Sequence, residues 1–161
     1  MIMKVKGLID EDFVNYKKPA MVIEFPYCTF KCDKECGQSV CQNSALAHEP
    51  NIIIDYDELL TRYINNPITK AIVMQGLEPF DSFSDVMNLI LWLRVKYKCL
   101  DDIVIYTGYN KEEISWLIEY IKQYKNIIIK YGRYIPNQNP HFDSVLGVKL
   151  SSDNQYAEKI S

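Results

Sequence analysis

"AMVIEFPYCTFKCDKECGQSVC", residues 20–41, places a short apolar run directly before four of the chain's five cysteines. The run "AMVIEF" (20–25) is apolar nearly throughout, as a strand covered on both faces requires. The turn that follows then carries Cys28, Cys32, Cys36 and Cys41 as one compact thiol-rich loop at the strand's carboxyl end.

Further along, the pattern repeats without the cysteines. "AIVMQ" (71–75), "DIVIYTG" (102–108), "NIIIKYG" (126–132) and "VLGVKL" (145–150) read as strands of the same buried kind, for which parallel pairing is expected. Between them lie stretches of helical period. Asp55 and Glu58 can form a capping box ahead of Leu59, Leu60, Tyr63 and Ile64. Val86, Leu89, Ile90, Leu93 and Tyr97 recur at three- and four-residue spacing, as do Ile114, Leu117, Ile118 and Ile121. Strand–helix alternation gives an α/β fold with right-handed crossovers. The units are too few for a closed eight-stranded barrel, so a partial (β/α) barrel with a mostly parallel open sheet is expected, as a single domain over residues 1–161.

In such folds ligands sit at the carboxyl ends of the strands. The cysteine loop follows the first strand, "GLEPF" (76–80) the second, "YTGY" (106–109) ends the third and "YGRY" (131–134) the fourth. Parallel strands would bring all four segments to one rim.

Composition limits what that rim can be for. The chain is 48% apolar and 24% charged, with a net charge of −3, which excludes wholesale disorder and argues against a nucleic-acid binder. No apolar run approaches the ~20 residues of a membrane span and the N-terminus lacks a signal-peptide core, so no membrane role and a cytoplasmic location are expected. Five cysteines in such a chain argue against a disulfide framework and for metal. Cys28, Cys32 and Cys36 share the regular spacing C-x-x-x-C-x-x-x-C, which suits three corners of an iron–sulfur cubane and leaves one iron open. A closed zinc site using Cys41 as fourth ligand is the alternative, although paired C-x-x-C knuckles are missing. "GLEPF" has the bland reading of a turn before a helix capped by Ser82 or Ser84. Glu78 adds a carboxylate at a strand end, well placed to accept hydrogen bonds from a ligand's ammonium group.

The two motifs together resemble the radical S-adenosylmethionine enzymes. With the short chain, "YTGY", "YGRY" and the closing "SSDNQ" (151–155), residues 20–155 are similar to the activating components of anaerobic ribonucleotide reductases. The resemblance implies that Cys28, Cys32 and Cys36 ligate a 4Fe-4S cluster whose open iron is chelated by S-adenosylmethionine. It implies that Gly76 and Glu78, with Pro79 shaping the turn, bind the methionine ammonium group, that Thr107 lines the cofactor site, and that Arg133 pairs with the cofactor carboxylate. It further implies reductive cleavage to a 5′-deoxyadenosyl radical, a glycyl-radical enzyme as partner, and an electron donor such as a flavodoxin. Three residues separate the last two cysteines where the family has two, with Glu35 in the place of an aromatic. This leaves Cys41 open as third ligand and Tyr27 or Phe30 as the adenine contact. Leu77 stands where the family prefers glycine, so the turn must avoid positive φ there. Tyr131 replaces an acidic residue. Radical chemistry on another peptide or small molecule, and a non-enzymatic zinc or iron–sulfur module, are the alternative functions. Cys99 reads as a half-buried core thiol, His48 and His141 as loop or surface residues, "KEE" (111–113) as a solvated helix start, and 134–143 as a connecting loop.

Overall fold

A computed structural model describes residues 1–29, 34, 37 and 44–161. Its centre is a six-stranded sheet. Four parallel strands, β3 (Ala20–Phe25), β5 (Ala71–Gly76), β6 (Asp102–Tyr106) and β7 (Ile127–Tyr131), lie side by side in chain order. Antiparallel strands close its two edges, β2 (Gly7–Asp12) against β3 and β10 (Tyr156–Lys159) against β7. Two antiparallel pairs stand apart, β1 (Ile2–Val5) with β4 (Ile52–Asp55) and β8 (His141–Asp143) with β9 (Val148–Leu150). The architecture is the open, mostly parallel sheet of a partial barrel. No helix among the described residues is long and apolar enough to cross a membrane.

The helices are α1 (Ser44–Ala47), α2 (Tyr56–Ile64), α3 (Phe83–Leu91) and α4 (Ser115–Ile121). Asp55 caps α2 by accepting from the Asp57 N–H at 2.8 Å. A 3₁₀ turn over Pro79–Ser82 leads into α3, which loosens into a π-helical turn over Trp92–Lys96. These helices cover one face of the sheet. Leu59, Leu60, Val86, Leu89, Ile90, Leu93 and Ile121 are at most 1% exposed and pack in the same core as Ile23, Met74, Ile105 and Ile129. Strand residues one place away form the opposite face: Val22, Val73, Val104 and Ile128 pair in register across the four parallel strands. That face is covered by Tyr16, Leu146 and Leu150 from non-helical segments. Each fully buried Val, Ile or Leu contributes about 1.5–3 kcal/mol, so both faces must be covered, and they are.

Three expectations need correction. "VLGVKL" is not a strand of the parallel sheet: Gly147 turns at φ +74°, and only Val148–Leu150 is extended, antiparallel to His141–Asp143. The segment 134–143 is accordingly a loop only as far as residue 140. Helix α3 receives no side-chain cap from Ser82; the turn before it is capped by Glu78.

The register at the top of the sheet is fixed by a glycine. Gly76 pairs with Phe25 and adopts φ +92°, and a Cβ there would lie 2.6 Å from the Phe25 nitrogen. A side chain at this position meets both a φ penalty of about 1–2 kcal/mol and a backbone clash. Gly76→Ala is expected to lower unfolding free energy by about 2 kcal/mol or more; an unchanged urea midpoint would refute the close approach.

Candidate functional site at the carboxyl rim of the sheet

Just beyond the ends of the four parallel strands, backbone and side chains interlock. The Leu77 N–H donates to the Phe25 carbonyl at 3.2 Å, and the Glu78 N–H donates to the Tyr27 carbonyl at 2.8 Å. "GLEPF" is therefore pinned to the residue immediately before Cys28, which is half-buried. The Thr107 N–H donates to the Lys130 carbonyl at 2.9 Å and the Gly132 N–H to the Tyr109 carbonyl at 3.1 Å, so the third and fourth strand ends are tied in the same way.

Glu78 is the hub. It is 5% exposed, and its Oε1 accepts from the Thr107 hydroxyl and the Gly108 N–H, both at 2.8 Å. Its Oε2 accepts from the Phe80 N–H at 3.0 Å, which makes Glu78 the cap of the turn that begins at Pro79. Burial pushes this carboxyl up to about 7, against the opposing pull of those hydrogen bonds. Asp81 adds to the upward push. One oxygen of Asp81 accepts from the Tyr109 hydroxyl at 2.6 Å, while its buried Oδ2 has no hydrogen-bond partner among the described residues. Two carboxyl groups, one deeply buried and one with an orphaned oxygen, make a rim that is chemically suited to a cationic group.

The remaining predicted residues fall around this hub. Thr107 is 2% exposed and acts as a donor to Glu78. Pro79 is buried at the first position of the turn. The positive φ falls on Gly76 and not on Leu77. Arg133 is 7% exposed and makes a bidentate pair with Glu113, at 2.7 and 2.6 Å, while its guanidinium carbon stands 5.8 Å from the centre of the Tyr109 ring. Its side chain is thus already committed to a carboxylate of this chain. Tyr27 is half-exposed beside the rim. Cys32, Cys36, Cys41 and Phe30 lie outside the described residues.

"KEE" is more than a solvated helix start: Glu113 holds Arg133, and Lys111 pairs with Glu158 at 2.9 Å. "SSDNQ" is a clamp on the fourth strand end. Asn154 donates to the Arg133 carbonyl at 2.8 Å, Gln155 donates to the Gly132 carbonyl at 3.2 Å, and the Gln155 side-chain oxygen accepts from the Ser151 and Ser152 N–H groups at 3.1 Å. Asp81 and Glu113 escaped the sequence reading because each belongs to a helix start, where acidic residues are ordinary.

Comparison with known proteins bears on what the rim holds. A profile of the 4Fe-4S single cluster domain matches residues 20–155. The chain belongs to that family. Such domains are typical of radical S-adenosylmethionine enzymes, glycyl-radical activases among them. No curated protein and no solved structure matches the chain. Cys28, within the matched region, follows the Tyr27 carbonyl that accepts from Glu78, so the sheet sets this cysteine and the buried carboxylate close together in the fold.

Because the Glu78 pKa is raised in the fold from 4.5 to about 7, its stabilising contribution is fully present below about pH 4.5 and is lost as pH rises through about 7. Relative to Glu78→Gln, the wild type is expected to lose about 3 kcal/mol across that window. Parallel urea titrations of the two proteins at several pH values check this; a pH-independent difference would refute it.

Proposed function

We propose that the protein is a radical S-adenosylmethionine activase that generates a glycyl radical on a partner enzyme, anaerobic ribonucleotide reductase being the partner favoured by the sequence resemblance. The observation that carries this reading is the rim itself: a buried, hydrogen-bonded carboxyl group tied through its own N–H to Tyr27, next to Cys28, in a chain that matches a 4Fe-4S single cluster domain.

Cys28, Cys32 and Cys36 would hold the cluster, with Cys41 as the alternative third ligand. When bound, the cluster supplies the electron that cleaves S-adenosylmethionine to methionine and a 5′-deoxyadenosyl radical, which takes a hydrogen atom from a glycine. The chain's own residues do the positioning. Glu78, ionised on meeting a cation, would accept from the cofactor's ammonium group, and Asp81 adds negative charge beside it. Thr107 and the Gly108 N–H hold the Glu78 carboxylate so that it loses little freedom on binding. Arg133, locked by Glu113, serves in this reading as a wall and a countercharge to the rim. The electron donor, a flavodoxin in the resemblance, and a cytoplasmic, anaerobic setting belong to the same proposal.

The test is anaerobic reconstitution with iron and sulfide, reduction, and measurement of 5′-deoxyadenosine from S-adenosylmethionine. Wild type is expected to form it, Cys28→Ala to form none, and Glu78→Gln to need about ten- to hundredfold more cofactor for the same rate. Comparison of Cys36→Ala with Cys41→Ala identifies the third ligand by which one abolishes the cluster's visible absorbance. Uptake of zinc by four thiolates without cofactor cleavage would overturn the reading.

A further inference from the structure

A buried guanidinium and a buried carboxyl group lie on either side of Gly108 at the rim, and they are not paired with each other. A Cβ placed on Gly108 would lie 3.5 Å from Arg133 Cγ and 3.7 Å from Glu78 Oε1, so the two side chains stand little more than a methyl group apart. Arg133 is 7% and Glu78 5% exposed. Groups of this kind ordinarily pair, because each has lost water that a partner of opposite charge best replaces. Glu78 instead accepts from Phe80, Thr107 and Gly108, none of them a cation, and the charged side chain that pushes on it is Asp81.

The reason lies on the next element. Glu113, in the 3₁₀ turn Lys111–Ile114, turns both carboxylate oxygens to Arg133 and accepts from its Nη1 at 2.7 Å and its Nη2 at 2.6 Å. A bidentate fork of this kind is the strongest pairing that a guanidinium makes with a carboxylate. The backbone beneath Arg133 is fixed, since the Gly132 N–H donates to the Tyr109 carbonyl at 3.1 Å and Asn154 donates to the Arg133 carbonyl at 2.8 Å. Movement is therefore left to the side chain, and Glu113 decides which carboxyl group it meets. Glu113 is itself held, because its Oε1 also accepts from the Asn110 N–H at 3.1 Å and closes a capping box.

We propose that Glu113 is a positioning residue: by holding Arg133 in a bidentate pair it keeps the rim's own cation off Glu78 and leaves that carboxyl group open to a cationic ligand. A guanidinium tethered beside Glu78 would otherwise compete with any incoming cation at high effective concentration. The inference rests on the proposed role of Glu78 in cofactor binding only for the identity of that ligand.

Glu113→Gln isolates the charge. Glutamine keeps the capping bond to Asn110, and the side chain is 32% exposed, so the turn is retained. A crystal structure of this variant is expected to show the Arg133 guanidinium on Glu78; Arg133 still on residue 113, or out of contact with Glu78, would overturn the inference. Equilibrium dialysis of reconstituted, unreduced protein against radiolabelled S-adenosylmethionine supplies a second measurement. Glu113→Gln is expected to bind at least about tenfold more weakly than wild type, and Glu113→Asp within about threefold of it. In an Arg133→Gln background, which has no guanidinium to release, Glu113→Gln is expected to change nothing. An equal loss in both backgrounds would reduce Glu113 to a support of the turn and overturn its positioning role. Failure of the wild type to bind S-adenosylmethionine sinks the activase reading, while the crystal structure still decides where Arg133 goes.

Discussion

A carboxylate buried to 5% exposure without a neighbouring cation among its hydrogen-bond partners is costly, and Glu78 is kept in place by N–H and hydroxyl donors from two strand ends. Phe80 offers one because Pro79 starts a tight turn; Thr107 and Gly108 offer the others because β5 and β6 are parallel and in register. Remove the parallel register and those donors separate. The same arrangement ties Glu78 through its own N–H to Tyr27, and hence to the first cysteine. One satisfied carboxyl group thus joins a turn, two strand ends and the segment that leads into Cys28.

The parallel centre was legible in the sequence because its strands are apolar on both faces, and Ala20–Phe25 and Ala71–Gly76 come out nearly where the pattern put them. The antiparallel edges were not. Residues 7–12, "GLIDED", and 156–159, "YAEK", carry charges on an exposed side, so nothing in their local composition separates an edge strand from a loop. "VLGVKL" misled for the opposite reason. Leu146 and Leu150 are buried, with Val145 and Val148 partly so, but they pack on the face opposite the helices, and Gly147 breaks the extension.

At the site, residue identity was easier to read than role. Glu78, Thr107 and Arg133 do meet at one rim, as the ends of neighbouring parallel strands allow. Their partners depend on tertiary contacts between residues far apart in sequence: Arg133 takes Glu113, twenty positions earlier, and Thr107 serves Glu78.

The parallel order of β3, β5, β6 and β7 has a kinetic consequence. Every neighbouring pair is joined by a long crossover, so no two of these strands can associate as a local hairpin, and the entropy of closing each loop must be met before the pairing is rewarded. Cys28 follows the first of these strands in the chain, while the groups that seat Glu78 come from the ends of the second and third strands and the clamp on Gly132 comes from the final turn. The surroundings of Cys28 are therefore completed by segments that lie later in the chain. Completion of the rim is expected to wait on docking of the last strands.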